Sequence, residues 1–130
     1  MIGAGNLATN LAKALYAKGH EIIEVYSRTM ESARELASCV EATPRNDIND
    51  VTCDADIYIL ALKDSVLGDI IPPLCEGRID SVFVHTAGSV SIDVFKGHAI
   101  RYGVVYPMQT FSKSREMDFS IIPVFVEASD

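Results

Sequence analysis

The feature of this chain that most restricts its fold is a glycine-rich turn at the start of the sequence. The run Gly-Ala-Gly-Asn-Leu-Ala, from Gly3 to Ala8, leads directly into apolar residues at helical spacing. In a strand–turn–helix unit, two such glycines form a tight turn and let a pyrophosphate approach the backbone, while the alanine permits close helix–strand packing. The first N–H groups of the helix, at Asn6 and Leu7, then face the phosphates. The pattern predicts a dinucleotide site built on Gly3, Gly5 and Ala8, and the alternative is a plain strand–helix turn.

The strand that should lead into this turn is short. Only Met1 and Ile2 precede the glycines, whereas a strand in a globular protein usually has about five residues. We therefore expect the first strand of this domain, which spans residues 1–130, to begin upstream of Met1.

The residues after the turn complete the unit that the glycine pattern requires. Residues 6–18 predict a helix, which Gly19 ends as a C-terminal cap, and residues 21–26 predict the next strand. The predicted buried stripe of the helix consists of leucines at four-residue spacing with alanines beside them: Leu7, Leu11, Leu15, Ala8 and Ala12.

Strands and helices alternate along the rest of the chain. Further strands are predicted at 39–42, 57–62, 81–85, 102–106 and 121–127, the last at a sheet edge because it contains Pro123. Helices are predicted after Thr29, over 66–74 with Pro72 and Pro73 near its end, and over 91–95. This alternation predicts an α/β fold with a doubly wound, mostly parallel Rossmann-like sheet and helices on both faces.

Composition excludes several classes of partner. The chain has 11 basic and 18 acidic residues, a net charge of −7, which argues against nucleic acid as a partner. It contains no apolar run of about 18 residues, so we expect no membrane span. The three cysteines, Cys39, Cys53 and Cys75, have no metal-binding spacing. We interpret them as reduced, mostly buried thiols of a cytoplasmic protein that binds no metal.

The end of the strand at 21–26 predicts which dinucleotide binds. An NAD site usually has an acidic residue there, which bonds the ribose 2′-hydroxyl. This chain instead has Ser27, Arg28 and Thr29. A guanidinium can grip a 2′-phosphate bidentately, with the two hydroxyls alongside. The sequence therefore predicts NADP(H) as the cofactor, although Arg28 could also be a solvated surface residue and Thr29 only a helix cap.

These segments together resemble a known family. The GAGNLA turn, SRT at 27–29, ALKDS at 61–65, HTAGS at 85–89 and YPMQTFS at 106–112 are similar to the Rossmann-like superfamily of deazaflavin (coenzyme F420)-dependent NADP oxidoreductases, pyrroline-5-carboxylate reductases and 6-phosphogluconate dehydrogenases. The resemblance covers essentially the whole chain and implies an NADP oxidoreductase. It also implies a C-terminal helical domain, absent from this chain, through which the intact protein forms a homodimer.

The resemblance places backbone of Leu62 and Lys63 near the nicotinamide ribose. For the side chains of Asp64 and Ser65, which follow, we prefer the interpretation that they cap the next helix.

His85 is the candidate catalytic residue. It ends an apolar strand at the edge where ligands bind, and an imidazole there can exchange a proton with a carbonyl, imine or alcohol. The equal alternative is a hydrogen-bonded histidine that shapes the loop. We also assign His85 and Thr86 to the cofactor site, and Ser89 to the orientation of the substrate.

The segment at 106–112 resembles the His-Pro-Met piece of prephenate dehydrogenases, with Tyr106 standing where those have histidine. Tyr106 and Gln109 can hydrogen-bond a substrate, or they can pack against the helical domain. We expect the apolar residues Met108, Phe111 and Phe119 to face that domain.

Two functions remain open on the sequence alone. The first is an oxidoreductase that transfers hydride between NADPH and a small carbonyl, imine or hydroxy compound. The second is a non-catalytic NADP-binding sensor or regulatory module, because fold does not decide function. A deazaflavin as hydride partner is a third possibility, which rests on the family name.

Overall fold

A computed structural model of the chain describes residues 1–78, 80–107, 112–113 and 124–129. In these residues the α-helices are Asn6–Ala17 (α1), Met30–Cys39 (α2) and Asp64–Cys75 (α3). The strands are Glu24–Tyr26 (β1), Thr43–Arg45 (β2), Ile57–Leu60 (β3), Val82–His85 (β4), Arg101–Pro107 (β5) and Val124–Ala128 (β6). Short 3-10 helices cover Ile48–Asp50 and Ile92–Phe95.

The strands form one sheet that is parallel except at one edge. β1 pairs with β2, β3 with β4, and β4 with β5, all parallel, whereas β6 pairs antiparallel with β5. Ile2 joins the two halves, because it pairs in parallel with both Tyr26 and Leu60. The order across the sheet is therefore β2, β1, the segment at Ile2, β3, β4, β5 and β6.

This order defines a topological switch point at Ile2. From there the chain adds β1 and β2 on one side and β3 to β6 on the other. In open α/β sheets, ligands bind in the crevice outside the carboxyl ends of the strands at such a point. The glycine turn lies there, because it follows Ile2 directly.

Helices cover both faces of the sheet. Successive residues of a strand point to opposite faces, and the neighbours Val25 and Tyr26 belong to two different hydrophobic clusters. The cluster at Val25 contains residues of α1 and α2, and the cluster at Tyr26 contains residues of α3 and Phe95. The predicted α/β, mostly parallel fold with helices on both faces is confirmed.

The buried stripe of α1 differs from the predicted one. Ala8 and Ala12 are fully buried, whereas Leu7, Leu11 and Leu15 are only half-buried. The reason is steric: the small side chains let the helix axis approach the sheet closely, and the leucines then lie along the flanks. Gly19 ends the helix as predicted, with φ of +92° and with the His20 N–H donating to the Leu15 carbonyl at 3.1 Å.

The predicted strand at 39–42 is wrong. α2 continues to Cys39, Val40 is its buried C-terminal cap, and Glu41 has a positive φ of 54°. This turn delays the strand to Thr43–Arg45, where Pro44 is tolerated because β2 is an edge strand.

The cysteines also depart from the prediction. Cys39 and Cys53 are exposed and only Cys75 is buried, although all three are free thiols. Burial raises the pKa of the Cys75 thiol to about 11, which makes it an inert core group.

Candidate functional site

The glycine turn depends on two different properties of its glycines. Gly3 has φ of +120°, and a side chain there would collide with the carbonyl group of Ala61 and approach a methyl carbon of Leu62 to 3.3 Å. Gly5 has ordinary backbone angles, and a side chain on it would meet nothing within 4 Å. Gly3 is therefore required by the fold, whereas Gly5 leaves open space above the start of α1.

The N-terminus of α1 presents free hydrogen-bond donors to that space. Gly5 is the N-cap residue, and the first hydrogen bond of the helix runs from the Thr9 N–H to the Gly5 carbonyl at 2.9 Å. The N–H groups of Asn6, Leu7 and Ala8 therefore have no partner within the helix. The first turn contains no acidic residue and no side-chain cap, so its donors and positive dipole suit a phosphate group.

A cleft of about 630 Å³ lies at these donors. Its wall is formed by the segments that follow β3 and β4, the start of α1 and one residue of β5: Gly5, Asn6, Leu7, Ala61, Leu62, Lys63, Asp64, Thr86, Ala87, Gly88, Ser89 and Tyr106. The structure thus brings together eight of the predicted site residues in one cleft. A second cavity, of about 400 Å³, lies at the opposite ends of the strands, around Met1, Glu24 and Ile57, away from the predicted site.

The residues predicted to select NADP(H) follow β1 on the other side of the switch point. Arg28 and Thr29 are exposed and Ser27 is half-buried. Among the described residues the only ion pair joins Arg45 to Glu24, at 2.6 Å, so the Arg28 guanidinium is not committed to a carboxylate there. Thr29 caps α2, since its side chain accepts a hydrogen bond from the Ser32 N–H at 3.4 Å.

The loop after β3 differs in detail from the expectation. Lys63 is the N-cap residue of α3, and Asp64 is the first residue of the helix. Neither Asp64 nor Ser65 is therefore the cap. The Asp64 carboxylate instead accepts a hydrogen bond from the Ser89 hydroxyl at 2.6 Å, which connects the loops that follow β3 and β4.

His85 is turned away from the cleft. Its ring is fully buried, at 0% exposed, and stacks on Phe95 with the ring centroids 5.8 Å apart. Nδ1 accepts a hydrogen bond from the Ala87 N–H at 3.0 Å, and Nε2 faces the Ser91 carbonyl at 3.4 Å. An imidazole so bonded is neutral, with its proton on Nε2. The geometry favours the alternative in which His85 shapes the loop.

Burial lowers the pKa of His85, and this shift is opposed by smaller effects of the Ser91 carbonyl, the Asp64 charge and the Val90 backbone. The unfolded chain then binds the proton more readily than the folded chain. The stabilisation due to a neutral His85 is complete above the ordinary pKa of 6.5 and is lost as the pH falls below it toward the lowered pKa of the folded state.

We therefore expect urea unfolding between about pH 7.5 and about pH 5 to show a larger loss of stability in the native protein than in His85→Asn. The asparagine keeps an acceptor for the Ala87 N–H but does not titrate. The contributions of other titrating groups to the loss of stability are the same in both proteins and cancel when the two losses are compared. An equal loss in both proteins would mean that His85 is freely protonated in the folded state.

The remaining wall of the cleft comes from Thr86, Ser89 and Tyr106. Thr86 is buried, and both its N–H and its hydroxyl donate to the Leu60 carbonyl, at 3.2 and 3.4 Å. The Tyr106 ring lies so close to Gly88 that a side chain there would approach ring carbons to 2.6 Å. Gln109, Met108, Phe111 and Phe119 lie outside the described residues.

Four residues that line the cleft were not assigned to the site from the sequence: Ala61, Ala87, Gly88 and Asp64, the last of which was interpreted as a helix cap. The signal for them was available, because each adjoins a named residue at the carboxyl end of β3 or β4. No group of His, Cys, Asp and Glu side chains that could hold a metal ion occurs among the residues that the structure describes. Nor does any helix in those ranges have the length and apolar character needed to cross a bilayer.

A family model described as NADP oxidoreductase, coenzyme F420-dependent, matches residues 1–87. The chain belongs to this NADP oxidoreductase family. The match includes Arg28. It also includes the glycine turn, the loop after β3 and the start of the loop after β4, which contain most of the residues that line the cleft. Since the family is described as NADP oxidoreductase, NADP(H) is the cofactor of this domain.

The chain is also similar to solved structures and to a curated protein. A protein from Bacteroides fragilis, provisionally named an NADP oxidoreductase, is 58% identical with a TM-score of 0.95, over 99% of this chain and 50% of its own. An imine reductase from Myxococcus stipitatus in complex with NADP⁺ is 21% identical with a TM-score of 0.69, over 84% of this chain and 40% of its own. At that identity the likeness shows the fold alone.

The curated relative is glutamyl-tRNA reductase from Shouchella clausii (strain KSM-K16). It is 43% identical over 61 residues, which are 45% of this chain and 13% of that protein. This chain therefore spans half the length of the Bacteroides protein and a small part of the curated relative.

Proposed function

We propose that this chain is the cofactor-binding domain of an enzyme that transfers hydride between NADPH and a small carbonyl, imine or hydroxy compound. The observation that carries the proposal is the set of free α1 donors facing open space at Gly5, at the switch point of the sheet. A diphosphate fits there because the site offers N–H donors and excludes acidic side chains from the first turn.

Each part of the candidate site then has a role in positioning the cofactor or the substrate. The backbone at Gly3, Gly5, Asn6, Leu7 and Ala8 would hold the pyrophosphate, and Ser27, Arg28 and Thr29 would hold the 2′-phosphate. The cofactor, when bound, supplies the hydride. If the adenosine half of the cofactor lies at the end of β1, the nicotinamide half lies at the carboxyl ends of β3 and β4, between Leu62–Lys63 and Thr86. Ser89, Tyr106 and Gln109 are the candidate contacts to a small-molecule substrate.

The buried His85 favours the second candidate function, an NADP(H)-binding sensor or regulatory module. An imidazole with both nitrogens bonded to the backbone cannot deliver a proton into the cleft. A reductase built on this domain must take its proton from Tyr106, from water or from other parts of the protein. NADPH oxidation by the intact protein with a panel of carbonyl compounds and imines distinguishes the two functions, since a sensor oxidises NADPH with none of them.

We extend the proposal to the intact protein as a homodimer formed through a C-terminal helical domain, as the family resemblance implies. We place it in the cytoplasm because its three cysteines are free thiols. Light scattering on the intact protein measures its oligomeric state, and a monomeric mass at micromolar concentration contradicts the homodimer.

Arg28 provides the test of cofactor selection. If its guanidinium holds the 2′-phosphate, NADPH binds at least about tenfold more tightly than NADH, equivalent to about 1.4 kcal/mol. We expect Arg28→Ala to remove most of this difference and to leave the affinity for NADH nearly unchanged, because NADH has no 2′-phosphate. Calorimetric titration of both cofactors measures it.

The matched control is Arg34→Ala, which removes an exposed arginine from α2. It lowers the net charge by the same amount and should preserve the preference for NADPH. Equal affinities of the native protein for NADPH and NADH would contradict the assignment of Arg28.

A further inference from the structure

The Asp64 carboxylate is the one acidic group among the residues that line the cleft in the described parts of the chain. It stands at the start of α3, and the Ser89 hydroxyl donates to its Oδ2 at 2.6 Å. Ser89 belongs to the loop after β4. This hydrogen bond connects two neighbouring segments of the cleft wall. It holds the Asp64 carboxylate in place through Oδ2 and leaves Oδ1 for other contacts.

The strand order determines which half of a dinucleotide reaches this pair. Arg28 follows β1, on one side of the switch point, whereas Asp64 and Ser89 follow β3 and β4, on the other. With the 2′-phosphate of the adenosine half at Arg28 and the pyrophosphate at the start of α1, the dinucleotide crosses the switch point. Its nicotinamide half then lies on the side of Asp64.

We propose that Asp64, positioned by Ser89, biases the cleft toward the oxidised form of the cofactor. The nicotinamide ring carries a positive charge when oxidised and none when reduced. A fixed carboxylate on its side of the cleft stabilises only the charged ring. This inference rests on the proposed function, because it requires the cofactor to occupy the cleft in this orientation.

Lys63 does not offset this effect to the same extent. Lys63 and Asp64 are both exposed to solvent, but the Lys63 ammonium stands at the end of a flexible four-carbon chain and therefore has no single position. Asp64 has a short side chain with a hydrogen bond to Ser89. A group held in one place interacts with the ring in every bound molecule, whereas a mobile group does so only part of the time.

The ratio of two dissociation constants tests the inference without any substrate. The constants for NADP⁺ and NADPH are measured by calorimetry at low ionic strength in the native protein and in Asp64→Asn. Repulsion between Asp64 and the phosphates acts equally on both forms and cancels in the ratio. We expect Asp64→Asn to raise the ratio of the NADP⁺ constant to the NADPH constant by about threefold, as for a single partly solvated charge pair.

Asp69→Asn is the matched control, because it removes the same charge from an exposed position of α3 that does not line the cleft. It should leave the ratio unchanged. Ser89→Ala keeps the Asp64 carboxylate but removes the hydrogen bond that holds it in place. We expect this variant to raise the ratio of the NADP⁺ constant to the NADPH constant by less than Asp64→Asn does. High salt should reduce the effect of Asp64→Asn.

The outcomes separate this inference from the proposed function. Tight binding of both forms with the same ratio in native protein and Asp64→Asn overturns the inference and leaves the proposed function standing. An equal rise in Asp69→Asn also overturns it, because net charge alone would then explain the effect. Failure of the native protein to bind either form overturns the proposed function itself.

Discussion

Replacement of Gly5 by valine is expected to abolish binding of NADPH and NADH while the domain stays folded. A side chain at this position meets no protein atom within 4 Å, and the backbone angles of Gly5 suit any residue. The branched side chain would instead occupy the space in front of the free N–H groups of α1, where the pyrophosphate must lie. We expect the affinity for NADPH to fall at least about a hundredfold, equivalent to about 2.7 kcal/mol.

Fluorescence titration with NADPH measures the loss, and circular dichroism with urea unfolding verifies the fold. Gly68→Val is the matched control, since Gly68 is an exposed residue of α3 whose side chain would also meet nothing within 4 Å. This control should bind NADPH like the native protein. Native affinity in a folded Gly5→Val protein would mean that the cofactor binds elsewhere, and the proposed site would be wrong.

The conformation of the glycine turn and of the start of α1 was predictable because its determinants are local in sequence. The turn from Gly3 to Ala8, the helix that follows and the strand that ends before Ser27 lie within 30 residues. Spacing alone fixes which backbone donors face the ligand in such a unit. The position of Arg28 relative to the turn carried the prediction of NADP(H), which membership of the NADP oxidoreductase family confirms.

The orientation of His85 was not predictable from its position. A histidine at the end of an apolar strand has the same sequence pattern whether its ring points to the ligand or into the core. Here the choice depends on the Ala87 N–H, the Ser91 carbonyl and the ring of Phe95, which lies ten residues further along the chain. These contacts exist only once the loop and the following 3-10 helix have packed against the sheet.

Asp64 illustrates a second limit of the sequence. Capping or the helix dipole already explains an acidic residue at the start of a helix. The position of Asp64 in the sequence therefore does not indicate a partner elsewhere in the chain. The contact with Ser89, 25 residues away, arises because β3 and β4 are neighbours in the sheet. Pairing between strands, which periodicity does not specify, therefore decided which side chains share the cleft.

Replacement of Gly3 by alanine is expected to destabilise the fold, in contrast to the effect at Gly5. The φ angle of +120° strains any side chain, and the added carbon would collide with the carbonyl group of Ala61, which lies just after β3. That backbone cannot move freely, since the Ala61 N–H donates to the Ile2 carbonyl at 2.9 Å. We expect the free energy of unfolding to fall by about 3 kcal/mol, as measured by urea denaturation.

Gly19→Ala separates the two causes of this loss. Gly19 also has a positive φ, +92°, but a side chain there meets nothing within 4 Å, so only backbone strain of about 1 kcal/mol applies. The difference between the two variants then measures the collision with the Ala61 carbonyl. If Gly3→Ala loses no more stability than Gly19→Ala, the segment at Ile2 is not held tightly between β1 and β3. In that case the position of the glycine turn would depend on its connection to α1 and not on the pairing of the Ile2 segment in the sheet.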